Sequence, residues 1–305
     1  MQALLVITNL LLLLLFWMPV WAPPERQLFF NPFLSAPTRL SNRVLDFLHH
    51  ALPLPDRVLA LLVLAFFLAF RAVALQFFAP QSEWLITLSG CLIYKPQAAG
   101  LHGALFFSLL DFLFFIARFW ALYLFIQLLT PVARHDRGSQ MFHVAARPLS
   151  ALPWWTQGLA VIAMHAVLLH ALQGVADVTA APKMPESLAH PAGAPVIQVL
   201  SLVWLTALSL ADTLQIAGMV MVSLLVGGLA SMILQNPTGL TISNECVAVL
   251  LGRFAHRLPF GMFDFTPLVY WFVVSVCYGP LGNGLIASFA PVCDFLLKHF
   301  PALAG

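Results

Sequence analysis

The fold class this sequence predicts is an all-α integral membrane protein. About six transmembrane helices form three hairpin repeats, each with a basic interfacial amphipathic helix in its loop, plus short re-entrant or interfacial helices. Three observations predict it. The 305 residues are 61% hydrophobic and only 9% charged, with mean hydropathy +0.92, whereas soluble domains carry about 25% charged residues. The apolar residues gather into runs of roughly 20, the length that crosses a hydrocarbon core of ~30 Å. Finally, a Leu-Pro corner recurs at Pro53, Pro153 and Pro259, roughly a hundred residues apart, and self-similarity at a fixed period is the mark of an internal repeat.

The first predicted span is Ala3 to Ala22, Leu-rich and uncharged, stopped by Pro23-Pro24 and followed by Glu25-Arg26. It lacks the basic start and short apolar stretch of a signal peptide. After Asn31-Pro32, the apolar positions Leu40, Val44, Phe47, Leu48 and Ala51 recur at helical spacing, with Arg39, Arg43, Asp46, His49 and His50 between them. That pattern predicts a helix lying in the membrane interface, arginines towards the headgroups. Val58 to Phe78 is the second span, with Arg71 as its only charge. Together these make a first repeat over residues 1–80.

The second repeat is assigned to 81–178. It opens with a short apolar piece, Trp84 to Tyr94, too short to cross and read as re-entrant or interfacial. Leu105 to Leu129 is the third span and carries Asp111 and Arg118; Thr156 to Ala176 is the fourth. Between them lie a polar stretch with Arg134 and Arg137 and a short amphipathic piece, Phe142 to Leu149, that carries Arg147. Residues 179–195, rich in Ala and Pro, read as an exposed linker.

The third repeat covers 196–305. Its first apolar stretch, Ile197 to Leu234, would be ~57 Å long as one helix, so it is expected to break near Asp212. Ser209-Leu210-Ala211-Asp212 echoes Ser108-Leu109-Leu110-Asp111, which places a similar break near Asp111. After Asn236-Pro237, Thr241 to Arg257 is the last interfacial helix, with Arg253 and Arg257 on its polar side. Thr266 to Phe289 is the final span, and Asp264 is expected to cap its start just ahead of Pro267.

Charge placement sets the expected orientation. Of the 14 Lys and Arg, nine lie in the three loops inside the repeats and three in the connectors or tail. Basic residues near span ends stay cytoplasmic, so the loops are expected inside and both termini outside. All nine are Arg, and Arg39, Arg43, Arg147, Arg253 and Arg257 are the candidates for binding anionic lipid headgroups or a protein partner. No nucleic-acid role is expected.

Catalytic and metal chemistry find no support in the spacing. His49-His50 diverge on a helix, and His165 and His170 are five apart and share no face. A lone His165 could ligate haem with a histidine from another span, but a histidine satisfied by a neighbouring helix is the plainer reading. No metal, cofactor or catalytic residue is expected. The four cysteines, Cys91, Cys246, Cys277 and Cys293, form no CxxC pair and read as packing residues. The charges inside spans, Arg71, Asp111, Arg118 and Asp212, are costly at the bilayer centre and are functional candidates for that reason. Either they pair across repeats or they line an ion path.

These motifs resemble the YggT/YlmG family of small membrane proteins of bacteria and plastids. Asn236-Pro237, Arg253, Arg257, Leu258-Pro259, Gly261 and Asp264-Phe265-Thr266-Pro267 are similar to the family signature. Asn31-Pro32-Phe33, Leu52-Pro53 and Asp56 follow it loosely, and the middle copy follows it only through Arg147-Pro148-Leu149 and Leu152-Pro153. The likeness is specific over about 225–275, and three modules depart from the family's usual one or two. The resemblance implies a bacterial inner-membrane scaffold, accessory subunit or assembly factor, associated with cell division, stress tolerance or maturation of a membrane complex. It implies a membrane-protein partner or a homo-oligomer. The competing expectation is a small ion or solute channel or transporter using broken helices near Asp111 and Asp212.

Overall fold

The computed structural model describes residues 2–21, 32–79, 84–88, 92–96, 100–129, 142–180, 195–251, 257–260 and 263–299. Among them six helices are long and apolar enough to cross a membrane: Leu4–Trp21, Asp56–Phe78, Leu101–Gln127, Trp154–Gly174, Val196–Ile233 and Thr266–Leu296. The protein is a multi-pass membrane protein. Asn31, Gly261 and Arg253 of the sequence motifs, along with Arg134, Arg137 and Cys91, lie outside the described residues.

Helix α1 runs over Gln2–Leu12, passes through a π turn at Leu13–Trp17 and resumes over Met18–Trp21. Helix α2 is Pro32–His49, beginning well before Leu40, with Pro32 at its first position where the missing N–H costs nothing. Helix α3 is Asp56–Phe78. Val58 and Leu59 donate their N–H to the Pro55 carbonyl at 2.9 and 3.0 Å, so Pro55, two residues past the expected Pro53 corner, starts the helix. Helix α4 is Leu101–Leu129, α5 the single turn Arg147–Ser150 and α6 Trp154–Val175. Thr156 N–H and Gln157 N–H meet the Pro153 carbonyl at 2.9 and 3.2 Å, so that corner is also a helix start.

The apolar piece at 84–94 is not a helix. Strands β1 (Ile86–Leu88) and β2 (Leu92–Pro96) form an antiparallel pair with Thr87 opposite Ile93. The side chains of Trp84, Ile86 and Tyr94 are buried, a two-residue alternation that a strand satisfies and a helix does not. Strand β3, Ala176–Ala180, follows α6 directly and pairs with β2. Thr179 and Ala180, assigned to the linker, therefore belong to a three-stranded sheet in the order β1-β2-β3, and residues 181–194 lie outside the described residues.

Helix α7 is Pro195–Ile233 and runs unbroken through Asp212. The expected break is absent for a plain reason: neither Gly nor Pro occurs between Val196 and Ala217, so nothing interrupts the backbone hydrogen bonds. At ~1.5 Å per residue its 39 residues extend about 58 Å, well beyond a span. Asp111 likewise sits inside the continuous α4. Helix α8, Pro237–Leu251, begins earlier than the expected Thr241. The two-residue strands β4 (Pro259–Phe260) and β5 (Phe263–Asp264) pair with each other, so the third Leu-Pro corner is strand and not a helix start. Helix α9 is Thr266–His299 and contains Pro280 and Pro291. Leu268 and Val269 N–H both point to the Phe265 carbonyl at 3.1 Å; Phe265, not Asp264, occupies the start position, with Pro267 in the first turn.

The passage from α7 to α8 shows what Asn-Pro does locally. Gln235 takes φ 52°, Asn236 N–H reaches the Ser231 carbonyl at 2.7 Å and Gln235 N–H reaches Met232 at 3.1 Å, a Schellman end with Gln where Gly is usual. The Asn236 side chain then accepts the Gly239 N–H at 3.1 Å and caps α8, with Pro237 at its first position. Helix α8 folds back along α7: the Ser243 hydroxyl donates to the Leu224 carbonyl, and a Cβ at Gly239 would collide with the Ser231 side chain.

The chain forms two compact units. One comprises Met1–Phe70, Phe119–Gly158 and Ala217–Phe272; the other Arg71–Arg118, Leu159–Ile216 and Val273–Gly305. In the first, Val20, Leu45, Leu59 and Ala60 form a buried cluster with Leu48 against it, joining α1, α2 and α3, and Phe16 stacks on Phe67 at 5.2 Å. In the second, the sheet packs on α4 through Trp84, whose ring lies 6.0 Å from that of Phe107.

Candidate functional site

The second unit holds all four intramembrane charges, and each has a partner. Arg71 on α3 faces Asp111 on α4 at 3.3 Å. Its Nε donates to the Ser108 hydroxyl at 2.9 Å and its Nη2 to the Ser108 carbonyl. Ser108 and Asp111 are three apart on one helix and share a face, so a single guanidinium is gripped by both.

Arg118, two turns further along α4, binds a different carboxylate. Its Nη2 lies 2.8 Å from Asp212 Oδ2 on α7 and also donates to the Thr87 carbonyl of β1 at 2.6 Å. The Tyr278 hydroxyl of α9 donates to Asp212 Oδ1 at 3.4 Å, and the guanidinium carbon stands 5.1 Å from the Phe114 ring centre. Asp111 and Arg118, seven residues apart on one face, therefore do not pair with each other. Each reaches another helix, α3 and α7 respectively.

The Thr87 contact has a structural cause. Strand β1 is an edge of the sheet, and edge carbonyls lack a strand partner. Extended backbone beside transmembrane helices is tolerated only where protein satisfies it, and Arg118 supplies that donor. His165 on α6 is fully buried, its ring 6.0 Å from Phe114 and its Nδ1 2.9 Å from the Val161 carbonyl. His165 Nε2 and Arg118 Nε have no hydrogen-bond partner among the described residues. Histidine 165 is thus held by its own helix backbone and by packing. His170 is exposed, and no group of three metal-ligating side chains occurs among the described residues.

The interfacial candidates lie elsewhere. Arg39 and Arg43 are exposed on α2, which shows three stripes: Ser41 and Leu45 buried, Leu40 and Phe47 exposed and apolar, and Arg39, Arg43 and Asp46 exposed and polar. Arg147 begins α5 and is partly buried, and Arg257 is exposed ahead of β4. Pro53 and Pro153 are exposed at their corners, and Pro267 is buried.

Sequence reasoning named the four charges, and Ser108 only as the first residue of the repeated Ser108-Leu109-Leu110-Asp111 stretch; it named neither Thr87 nor Tyr278. Ser108 carried a signal, standing three residues before Asp111. Thr87 contributes only its backbone, and Tyr278 lies 66 residues from Asp212, so neither could be found from local spacing.

A second feature of this unit is a cavity of about 270 Å³ lined by Ile86, Tyr94, Phe106, Phe107, Leu110 and Leu172 among others, with His102 at its edge. Burial without a hydrogen-bond partner pushes the Tyr94 phenol well above its ordinary pKa. In the other unit, burial and the neighbouring Glu245 push the Cys246 thiol up to about 11.

Searches for related proteins found no matching protein-family model, no matching curated protein and no matching solved structure.

Proposed function

We propose that this multi-pass protein is a non-catalytic membrane scaffold, accessory subunit or assembly factor for a larger membrane complex. In this reading the spans form three successive hairpin repeats, the loops inside them carry basic amphipathic helices that face the cytoplasm of a bacterial inner membrane, and both termini lie outside, as in YggT-like proteins. The observation that carries it is the disposition of charge. Arg71, Asp111, Arg118 and Asp212 are engaged with one another across α3, α4 and α7, where they tie helices together. Buried pairs of this kind serve specificity of assembly in the best-attested cases.

The exposed basic residues Arg39 and Arg43 stand beside the exposed Phe47 and Leu40, a combination suited to headgroups or to a partner's acidic surface. The test is purification from native membranes in mild detergent with mass spectrometry of what co-elutes. Stoichiometric recovery with other membrane proteins, lost in an Arg39→Gln/Arg43→Gln variant that still folds, is the expected result. A homo-oligomer that carries no partner and supports ion flux in liposomes, abolished by Asp212→Asn, would replace this reading with conduction. A channel built on broken helices at Asp111 and Asp212 has less support, because α4 and α7 are continuous there.

A further inference from the structure

The cavity beside α4 has the chemistry of a lipid-chain site. Its walls are the side chains of Ile86, Phe106, Phe107, Leu110 and Leu172 and the ring of Tyr94; the Tyr94 hydroxyl itself is buried away from the open space. Such side chains offer no hydrogen bonds, so hydrocarbon is a better-matched occupant of this space than water. The volume of about 270 Å³ equals the liquid share of about nine water molecules at ~30 Å³ each. That is room for roughly the same number of methylene groups, below the ~300 Å³ and more of a drug-sized ligand pocket.

Position adds a second argument. His102 lies at the cavity edge and is exposed, in the first turn of α4, and a helix start favours an anion through its unpaired N–H groups and dipole. Leu101, Leu105 and Leu109, on the same stretch of α4, are exposed and apolar, the expected face for bilayer hydrocarbon. An apolar cavity next to an exposed apolar helix stripe, with the exposed His102 and the first turn of α4 among its lining, matches one molecule class: an amphiphile with a hydrocarbon chain and an anionic head. We propose that this cavity holds one acyl chain of an anionic phospholipid, its phosphate at His102 and the start of α4.

The test uses the full-length protein in vesicles containing phosphatidylglycerol whose acyl chain carries a photoactivatable diazirine, followed by peptide mass spectrometry. The expected result is labelling at Phe106, Phe107, Leu110 or Leu172 at least about tenfold above that at Leu109 and Val167, which are exposed on α4 and α6 and report ordinary lipid contact. Leu172→Trp, which fills the slot, is expected to remove the enriched labelling while leaving Leu109 and Val167 unchanged. His102→Gln is expected to lower it severalfold for phosphatidylglycerol but not for a diacylglycerol carrying the same chain, which has no phosphate. Labelling of the wild-type cavity residues no greater than that of Leu109 and Val167 would overturn the proposal without reference to any variant.

Discussion

Arg118 ties three elements of this protein together. One guanidinium group meets a carboxylate on α7, a carbonyl on β1 and an aromatic face on α4. Removing Asp212 alone would leave that cation buried with its main partner gone, and breaking a buried pair from one side costs about 3–5 kcal/mol. Asp212→Asn is therefore expected to lower the thermal unfolding midpoint in detergent clearly. Replacing both partners, as Arg118→Met with Asp212→Leu, is expected to recover most of that loss, because two apolar groups leave no charge stranded. A double variant as unstable as the single one would mean that the Thr87 carbonyl, not the ion pair, is the contact that matters. Cys246 gives a second test at this scale. Its thiol is raised to about 11, so the reactive thiolate is scarce at pH 8 and grows as pH approaches that value. A variant retaining Cys246 alone is expected to resist iodoacetamide at pH 8 and to label faster as pH rises, and any stability tied to its neutral form is lost over the same alkaline range.

At the scale of elements, the turn between α7 and α8 makes a sharp prediction. Gln235 holds φ 52°, a conformation glycine adopts without cost. Gln235→Gly is expected to stabilise the protein by about 0.5–1 kcal/mol in equilibrium unfolding, an unusual sign for a glycine substitution. Gly239→Ala should act oppositely, by about 1–3 kcal/mol, since its methyl group meets the Ser231 side chain, and Ser231→Gly in the same chain is expected to restore most of the loss. The helices themselves were legible, because ~20-residue apolar runs admit little else. Breaks were harder. Asp212 looked like one because an isolated carboxylate in hydrocarbon is so unfavourable, yet Arg118 and Tyr278, distant in sequence, engage it, and α7 continues through it without a break. The stretch 84–94 misled for another reason: a mostly apolar run of this length fits a short helix by composition, and only the alternation of buried Trp84, Ile86 and Tyr94, together with a third strand supplied from 176–180, makes it a sheet. Likewise the Leu-Pro corners are alike in sequence but differ in use, helix starts near Pro55 and Pro153 and a strand at Pro259.

For the whole molecule, the open question of greatest consequence is which ends face the cytoplasm, and the charge pattern makes it answerable. Basic residues near span ends are held on the cytoplasmic side, and Arg39, Arg43, Arg147 and Arg257 all lie between candidate spans, with Arg57 at the start of one. In the proposed orientation, Lys95, His102 and Lys298 fall on the other side. In a background with the native cysteines replaced, a cysteine at Asn42 or Gln235 is expected to be shielded from a membrane-impermeant maleimide added to intact spheroplasts, and one at His102 to react. The reverse pattern would invert the topology and would move the basic α2 helix away from the cytoplasm. That result would also remove α2 from cytoplasmic partners while leaving the ion pairs of α3, α4 and α7 untouched, because a buried pair is indifferent to which side its helix enters from. Topology and internal architecture are thus separable here: the second follows from which charges meet inside the helices, and the first only from which charges remain outside them.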